Sequence, residues 1–439
     1  MRPIIKRALA WGLVYLLLAL VPLLLALLRP PADMRGFLVE FGALLGLLAL
    51  GVFAMQMVAS GRHRWFAGSL GFDNVLQFHR QMGLFALLLV VAHPATLIIA
   101  EPRYFEYLDP RQDTLRALAL LTLLVATVIL IGSSLWRRAL GLSYEWWRIV
   151  HGGLAAFIVL GGIGHALMVG RYTAGAVTIA LLLAALAIPL GLLLDSRLLR
   201  PLRMRRRGWT VVDNRPMRGD ATTLTLEADD GRGMPFQPGQ FIWVTIGDTP
   251  FSLQQHPFSL VTPPTQGHRI AFTAKRLGDF TNSLPEVTPG TRAWVEGPYG
   301  AFVPDTANTS GAVLIAGGIG ITPIISILRT FNETGIKIPL WLIYANQRWE
   351  ETTFREELER HSRSLALEVV HVLAQPHDGW TGDTGYVDGA LLARRLPADD
   401  GQREYFICGP DPLMDAAEMG LIRQGVSPAR IFSDRFDLV

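Results

Sequence analysis

Cysteine is nearly absent: Cys408 is the single one among 439 residues. One thiol excludes an intramolecular disulfide, a CxxC redox pair and an all-cysteine iron–sulfur site. Any redox chemistry in this chain must therefore rest on another cofactor. Charge is scarce too, at 18% of residues against 50% apolar, and the mean hydropathy of +0.32 is high for a soluble protein. Residues 1–195 carry long runs of Leu, Ala, Val and Ile, whereas 208–439 read as an ordinary soluble α/β protein. That asymmetry predicts a membrane half joined to a water-soluble half. No internal repeat or low-complexity tract stands out beyond the hydrophobic bias.

The net charge of +3 and the pI near 9.1 do not call for nucleic acid as a partner, because the positive charge sits in short loops beside the apolar runs. The N-terminal MRPIIKR and the apolar stretch 8–28 look like a signal peptide at first sight. The run exceeds a typical h-region and no small-residue cleavage site follows, so a retained first span is expected. Six segments, near 8–28, 37–59, 77–100, 116–135, 149–169 and 174–194, reach the roughly 20 residues that a crossing needs. Arg2, Lys6 and Arg7, then Arg62 and Arg64, then Arg137, Arg138 and Arg148, then Arg197 to Arg207 fall at one set of span ends. The longest opposite loop, EPRYFEYLDPRQD, is rich in acids and aromatics. Both termini and the soluble half are therefore expected in the cytoplasm.

Four histidines in the apolar half form two pairs at one spacing. His79 and His93 are 14 residues apart on the third span, and His151 and His165 are 14 apart on the fifth. At 3.6 residues per turn this is almost four whole turns, so each pair shares a face with ~21 Å between its members. The two spans run the same way, which sets His79 level with His151 and His93 level with His165. Two levels of two imidazoles suit two metal centres stacked across a bilayer, and bis-imidazole haem ligation fits because no carboxylate or thiolate lies near. A lone histidine in a span is readily explained by a bond to a neighbouring helix; two equally spaced pairs are not, and ionisable groups within spans mark function by default. His63, in a basic loop, reads as an ordinary loop residue. Arg80 and Arg148 are candidates to pair haem propionates, although the basic bias of that membrane side explains them as well.

From 208 to about 305, alternating runs such as ATTLTLEA and FIWVTI, punctuated by Gly and Pro, predict a small antiparallel barrel. From 310 onward, apolar strands alternate with helical stretches, the pattern of a parallel sheet flanked by helices. PGQFIWVTI leads into HPFSL, where His256, Pro257, Phe258 and Ser259 supply the strand edge and ring groups that a flavin needs. KRLGDFTNSL contributes Lys275, Gly278, Phe280 and Thr281 around a loop able to cradle a pyrophosphate. GPYG (297–300) is expected to form a tight turn closing the barrel. AGGIGITP follows a strand and opens a helix: Gly317, Gly318 and Gly320 permit close approach of a phosphate, with Thr322 as N-cap and Pro323 at the first helical position. ICGPDPLM repeats that context, with Cys408, Gly409 and Pro410 placed to position a nicotinamide. Arg348, after the strand LWLIYAN, is a candidate for the 2′-phosphate of NADPH, and no acid stands at that strand end to grip a ribose diol, though Glu350 and Glu351 follow closely.

The soluble half resembles the ferredoxin–NADP reductase-like modules, and HPFSL with the 14-residue histidine pairs resembles the transmembrane NADPH oxidase and ferric reductase family, over residues 37–439. The resemblance implies a multidomain chain: an all-α six-helix transmembrane haem domain (1–200), an antiparallel β-barrel FAD domain (201–308) and an α/β parallel-sheet NAD(P)H domain (309–439). It implies FAD, two b-type haems and NADPH or NADH as donor, with an inner haem on His79 and His151 and an outer haem on His93 and His165. It implies that a C-terminal aromatic, here Phe436, covers the flavin until nicotinamide displaces it. It also implies a short bacterial member of the inner membrane that needs no protein activator, there being no EF-hand pattern. Three readings stay open on sequence: reduction of dioxygen to superoxide, reduction of a ferric chelate, or a membrane protein fused to a flavoreductase with structural histidines.

Overall fold

A computed structural model describes residues 3–65 and 72–435. The chain divides into two compact units, Met1–Arg200 and Pro201–Val439.

Among the described residues the first unit has six helices long and apolar enough to cross a membrane: α1 (Pro3–Leu28), α2 (Phe37–Ser60), α3 (Phe72–Ala100), α4 (Thr114–Leu135), α5 (Tyr144–Val169) and α6 (Ala176–Leu194). α3 and α5 start before their apolar runs because each opens on a more polar turn, FDNVLQ and YEWWR. α6 continues through a π-helical turn, Asp195–Leu199, into a last turn at Arg200–Met204. α2 is the centre of the bundle and packs against α1, α3, α5 and α6, while α4 lies on α5. Direct packing between α3 and α5, the histidine-bearing helices, is sparse. Leu13, Leu17, Leu88, Leu118 and Leu160 point outward and are exposed, as expected where the solvent is hydrocarbon.

The second unit holds two six-stranded sheets. β1 (Trp209–Met217), β2 (Ala221–Ala228), β3 (Phe241–Ile246), β4 (His256–Ser259), β5 (Arg269–Lys275) and β6 (Arg292–Tyr299) form an antiparallel sheet in the order β4-β3-β6-β1-β2-β5. The expected barrel is not closed by a strand ladder: β4 and β5 are edges, and beyond β4 only a bridge from Leu260 to Phe272 links them. GPYG is likewise not a turn. Gly297, Pro298 and Tyr299 belong to β6, whose register against β3 shifts between Phe241 and Trp243. A bulge there accommodates a proline that has no N–H to give the ladder.

The second sheet is parallel, in the order β10-β9-β8-β7-β11-β12, from β7 (Ala312–Gly317), β8 (Leu340–Asn346), β9 (Leu367–Leu373), β10 (Asp383–Thr384), β11 (Glu404–Cys408) and β12 (Ile431–Asp434). β7 is buried throughout, as a central strand covered on both faces must be. The helices are α7 (Asp279–Ser283), in the first half of the unit, and α8 (Thr322–Thr334), α9 (Arg355–Ser364), α10 (Gly389–Arg395) and α11 (Asp411–Arg423). Thr322 is not the N-cap of α8. A 3₁₀ turn at Gly318–Ile321 runs straight into the helix, so Ile321 takes the cap position and Thr322 is the first helical residue. Its hydroxyl donates back to the Ile319 carbonyl at 3.0 Å.

Candidate functional site

The four membrane histidines meet in two pairs. The ring centres of His79 and His151 are 6.2 Å apart, and those of His93 and His165 are also 6.2 Å apart. Metal–imidazole bonds of about 2.0–2.1 Å, with each ring centre roughly 1.1 Å behind its nitrogen, give roughly 6 Å between two rings that share one metal. Among the described residues no group of three or more His, Cys, Asp or Glu gathers around a metal position. Each level thus offers two protein ligands, and a metal held there needs its other ligands from a macrocycle, as in bis-histidine haem. The backbone near each pair is open: a Cβ added at Gly83, Gly152 or Gly164, each beside or one turn from a histidine, would meet nothing within 4 Å. The residues present fit a haem at each level.

Ring orientation is set by residues that the sequence reading did not single out. The Gly42 carbonyl lies 2.7 Å from His93 Nδ1; a carbonyl only accepts, so Nδ1 carries the proton and Nε2 is left bare for a metal. Ser134 donates to the Leu130 carbonyl at 2.6 Å, so at 3.1 Å its oxygen accepts from His151 Nδ1. Gly46 is small of necessity: a Cβ there would come within 2.8 Å of His93 Nδ1. Gln56 stands 14 residues from Gly42 on α2, level with His79, and its side-chain nitrogen and oxygen are buried without partners. Arg80 is exposed and Arg148 half-buried, the latter with its guanidinium 5.8 Å from the Tyr144 ring. His63 is buried, with Arg200 Nη2 3.5 Å from its Nδ1.

In the second unit, HPFS forms the edge strand β4, so its outer backbone is open to a flat ring. His256 stacks on Phe280 at 4.3 Å and Phe258 on Phe272 at 4.5 Å. Pro257 pairs with Trp243 across the ladder, and the Ser259 hydroxyl is buried with no hydrogen-bond partner. The Thr281 hydroxyl is committed locally, accepting from the amides of Leu277 and Gly278 at 2.9 and 3.0 Å. Lys275 Nζ stands 3.8 Å from Glu351 Oε2.

β7 and β11 are neighbours, with Ala316 opposite Cys408. The strand order reverses between them, which makes this the switch point where open α/β sheets take ligands. Their ends approach so closely that a Cβ on Gly320 would lie 2.2 Å from the Cys408 oxygen and one on Gly409 2.9 Å from the Gly317 nitrogen. Gly318 has φ +52°, a conformation that favours glycine, and its carbonyl accepts from the Tyr344 hydroxyl at 3.1 Å. The N-termini of α8, at Thr322-Pro323, and of α11, following Pro410, flank the crevice and favour an anion. Cys408 is fully buried in the core. The sheets are tied together here: Ser326 on α8 donates to the Thr262 carbonyl and Arg329 to the Val261 carbonyl, both at 2.8 Å. These carbonyls directly follow HPFSL, so the flavin-type strand and the glycine loop belong to one packed body. Burial alone would raise the Glu357 carboxyl, but hydrogen bonds from Arg329 and His361 outweigh it and bring it down to about 2. Arg348, at the end of β8, is exposed and donates to Gln375 Oε1 at 3.0 Å. Phe436 lies outside the described residues; Arg435 before it pairs with Asp411 at 2.8 Å and Asp415 at 2.6 Å on α11.

Three family models match along the chain. Residues 45–162 match the ferric reductase like transmembrane component, 216–303 an FAD-binding domain and 314–419 the oxidoreductase NAD-binding domain. The chain has the ferric reductase/NADPH oxidase-like architecture. The first match includes His79, His93 and His151, while His165 lies three residues beyond it. Among individual proteins, the reductase component of propane 2-monooxygenase from Rhodococcus jostii is 29% identical over 50% of this chain and 61% of its own length. A ferredoxin–NADP reductase of Sorangium cellulosum is 27% identical over 52% of this chain and 96% of its own. The chain spans about three fifths of the length of the first curated relatives it matches. Among solved structures, a flavohemoglobin from Malassezia yamatoensis with bound FAD and heme aligns over 91% of this chain and 99% of its own at 19% identity and TM-score 0.50, a likeness of fold alone. The six spans and the ferric reductase-type domain make this a multi-pass membrane protein.

Proposed function

We propose that this protein is an NAD(P)H oxidoreductase that moves electrons across a bacterial inner membrane, from cytoplasmic NADPH through FAD and two b-type haems to dioxygen outside. The observation that carries the reading is the pair of equal 6.2 Å histidine separations at two levels of one bundle. His79 and His151 would hold the inner haem, with Arg148 and Arg80 available to its propionates, and His93 and His165 would hold the outer one. His256, Pro257, Phe258, Ser259 and Phe280 would seat the flavin, and Lys275, Gly278 and Thr281 its pyrophosphate. Gly317, Gly318, Gly320, Thr322 and Pro323 would receive the nucleotide phosphates, with Cys408, Gly409 and Pro410 beside the nicotinamide, Phe436 over the flavin and Arg348 on the 2′-phosphate. The cofactors supply what side chains cannot: a flavin takes the hydride pair and haem iron passes electrons singly. The chain's own part is to space and orient them. The Gly42 carbonyl and Ser134 fix ring tautomers, and the close β7–β11 backbones shape the nucleotide crevice. The balance is one NADPH and two dioxygen giving NADP⁺, two superoxide ions and one proton. The arginines of the 60–75 and 136–148 loops and of 197–207 support a cytoplasmic soluble unit.

The test is an absorption spectrum of the detergent-purified chain, oxidised and then reduced anaerobically with NADPH and FAD. Low-spin b-type bands that become reduced, at two haems per chain, are expected. No haem bands after haem-replete expression would leave a membrane-tethered flavoreductase.

A further inference from the structure

Arg116 is the one basic residue of α4, and it stands in the first turn, at the end joined to the loop 101–113. Two general rules disfavour a cation there. It faces the positive end of the helix dipole, and the basic bias of the opposite membrane side does not extend to this one. Three other arginines of this side are paired. Arg35 and Arg171 both donate to the buried carboxylate of Glu40, which also accepts from the Tyr172 hydroxyl, and Arg103 pairs with Glu101. Arg116 has no such partner. Its Nε is buried without a hydrogen bond. Among the described residues, the one interaction of its guanidinium is with the Tyr107 ring, 4.3 Å from the ring centre. A half-buried cation with no anion beside it is costly.

Two contacts show which face of α4 is turned to α5. Ser134 accepts from His151 Nδ1 at 3.1 Å, and a Cβ on Gly161 would come within 2.4 Å of the Leu123 side chain. Thr127 and Leu130, on the same face, are buried. Arg116 precedes Leu123 by seven residues and Ser134 by 18, which is about two turns and five turns of helix. It therefore shares the face that meets the histidine-bearing span. The two helices run in opposite directions, with Ser134 level with His151 and Leu123 level with Gly161. Continued at that register, Arg116 stands about one turn, roughly 5 Å, beyond the level of His165.

We propose that Arg116, steadied by the Tyr107 ring, binds a carboxylate of the group held between His93 and His165, a propionate of the outer haem. This rests on the two-haem reading above. A guanidinium pairs a carboxylate with two parallel hydrogen bonds, so Arg116 helps to retain that haem. Its charge also favours the reduced state, which carries one positive charge less than the oxidised one, and so raises the potential of the outer level alone.

The experiment uses the full haem-loaded chain in detergent, in an anaerobic redox titration followed by haem absorbance and in an assay of haem release to apomyoglobin. Arg116→Gln is expected to shift one of the two haem components downward, so that its oxidised-to-reduced ratio at a fixed potential rises about tenfold, or about 59 mV for one electron. Release of one haem should quicken about tenfold, the scale of a charge-assisted contact. Arg116→Lys keeps the charge and loses the paired geometry; both potentials should hold while one haem leaves faster. That variant keeps the test decisive if the glutamine variant does not fold. Added to His93→Ala, Arg116→Gln should leave the remaining component unmoved. Unchanged potentials and release, or a shift that persists in the His93→Ala background, overturn the assignment. So does a raised KM for ferric–EDTA with potentials and release unchanged, which would place Arg116 in an acceptor site. Absence of haem bands in the starting protein instead overturns the relay, and this assignment with it.

Discussion

In the unit of the two sheets Ile242, Leu314, Ile315 and Phe406 expose nothing, and β7 is buried from end to end. In the membrane unit Leu88, Leu118 and Leu160 each expose more than half of their surface, and buried side chains concentrate on α2. One unit excludes water and so hides its apolar groups; the other meets hydrocarbon and has no such need. The glycines do not follow this division, for a Cβ on Gly51 in the membrane unit would lie 1.9 Å from the Ala19 oxygen. At Gly320 the backbones are so close that no Cβ fits, whereas at Gly83, Gly152 and Gly164 a Cβ would find nothing nearby. Close approach marks the β7–β11 crossing and the Gly46–His93 contact alike, while open backbone lies at Gly83, Gly152 and Gly164.

The strongest way to break this comparison is His93→Ala. One of two haems should be lost by pyridine haemochrome assay, and NADPH-driven reduction of the external acceptor should fall by about a hundredfold or more, with flavin content retained. Retention of both haems would show that the pair is structural.

One weakness of the water-excluding unit is acid. Burial first, then the charge of Arg355, hold His371 down to about 4, against an ordinary 6.5. As pH falls below about 6.5 the unfolded chain takes up a proton that the folded one refuses, so stability declines until about pH 4. The loss reaches up to about 3 kcal/mol. A thermal melt followed by flavin fluorescence should drop over this window, and His371→Phe should flatten the drop; an equal slope in the variant would assign it elsewhere.

Paired alanines sharpen the packing contrast. Gly320→Ala forces the β7–β11 crossing apart and should destabilise the second unit by about 1–3 kcal/mol, seen as a lower melting temperature. Gly83→Ala should leave the melting temperature alone yet reduce haem occupancy; if occupancy holds, the space there belongs to lipid. The smallest effect is expected at the surface. Arg348→Ala should raise the KM for NADPH about tenfold, the scale of one charge-assisted phosphate contact, and change that for NADH little. Parallel changes would place the 2′-phosphate elsewhere.

Much of this molecule is written in local periodicity. Apolar runs of bilayer length give six spans, and 14-residue spacing on a helix of 3.6 residues per turn fixes a shared face whatever packs against it. Alternation of apolar strands and helical stretches likewise gives the parallel sheet, and a glycine run between strand and helix marks its switch point. What sequence could not supply lies between elements. The bond from His93 to the Gly42 carbonyl joins residues 51 apart, and nothing in either local pattern announces it. The edge position of β4, the bulge that takes GPYG into β6 and the 3₁₀ entry displacing Thr322 from the cap depend on how strands and turns meet. Glu40 and Tyr172, 132 residues apart, look on sequence like an acid at a span end and a loop tyrosine. Rise and period are properties of one segment and can be read from it; ring tautomers, closed approaches and a buried carboxylate's partners follow from packing, which only the tertiary structure decides.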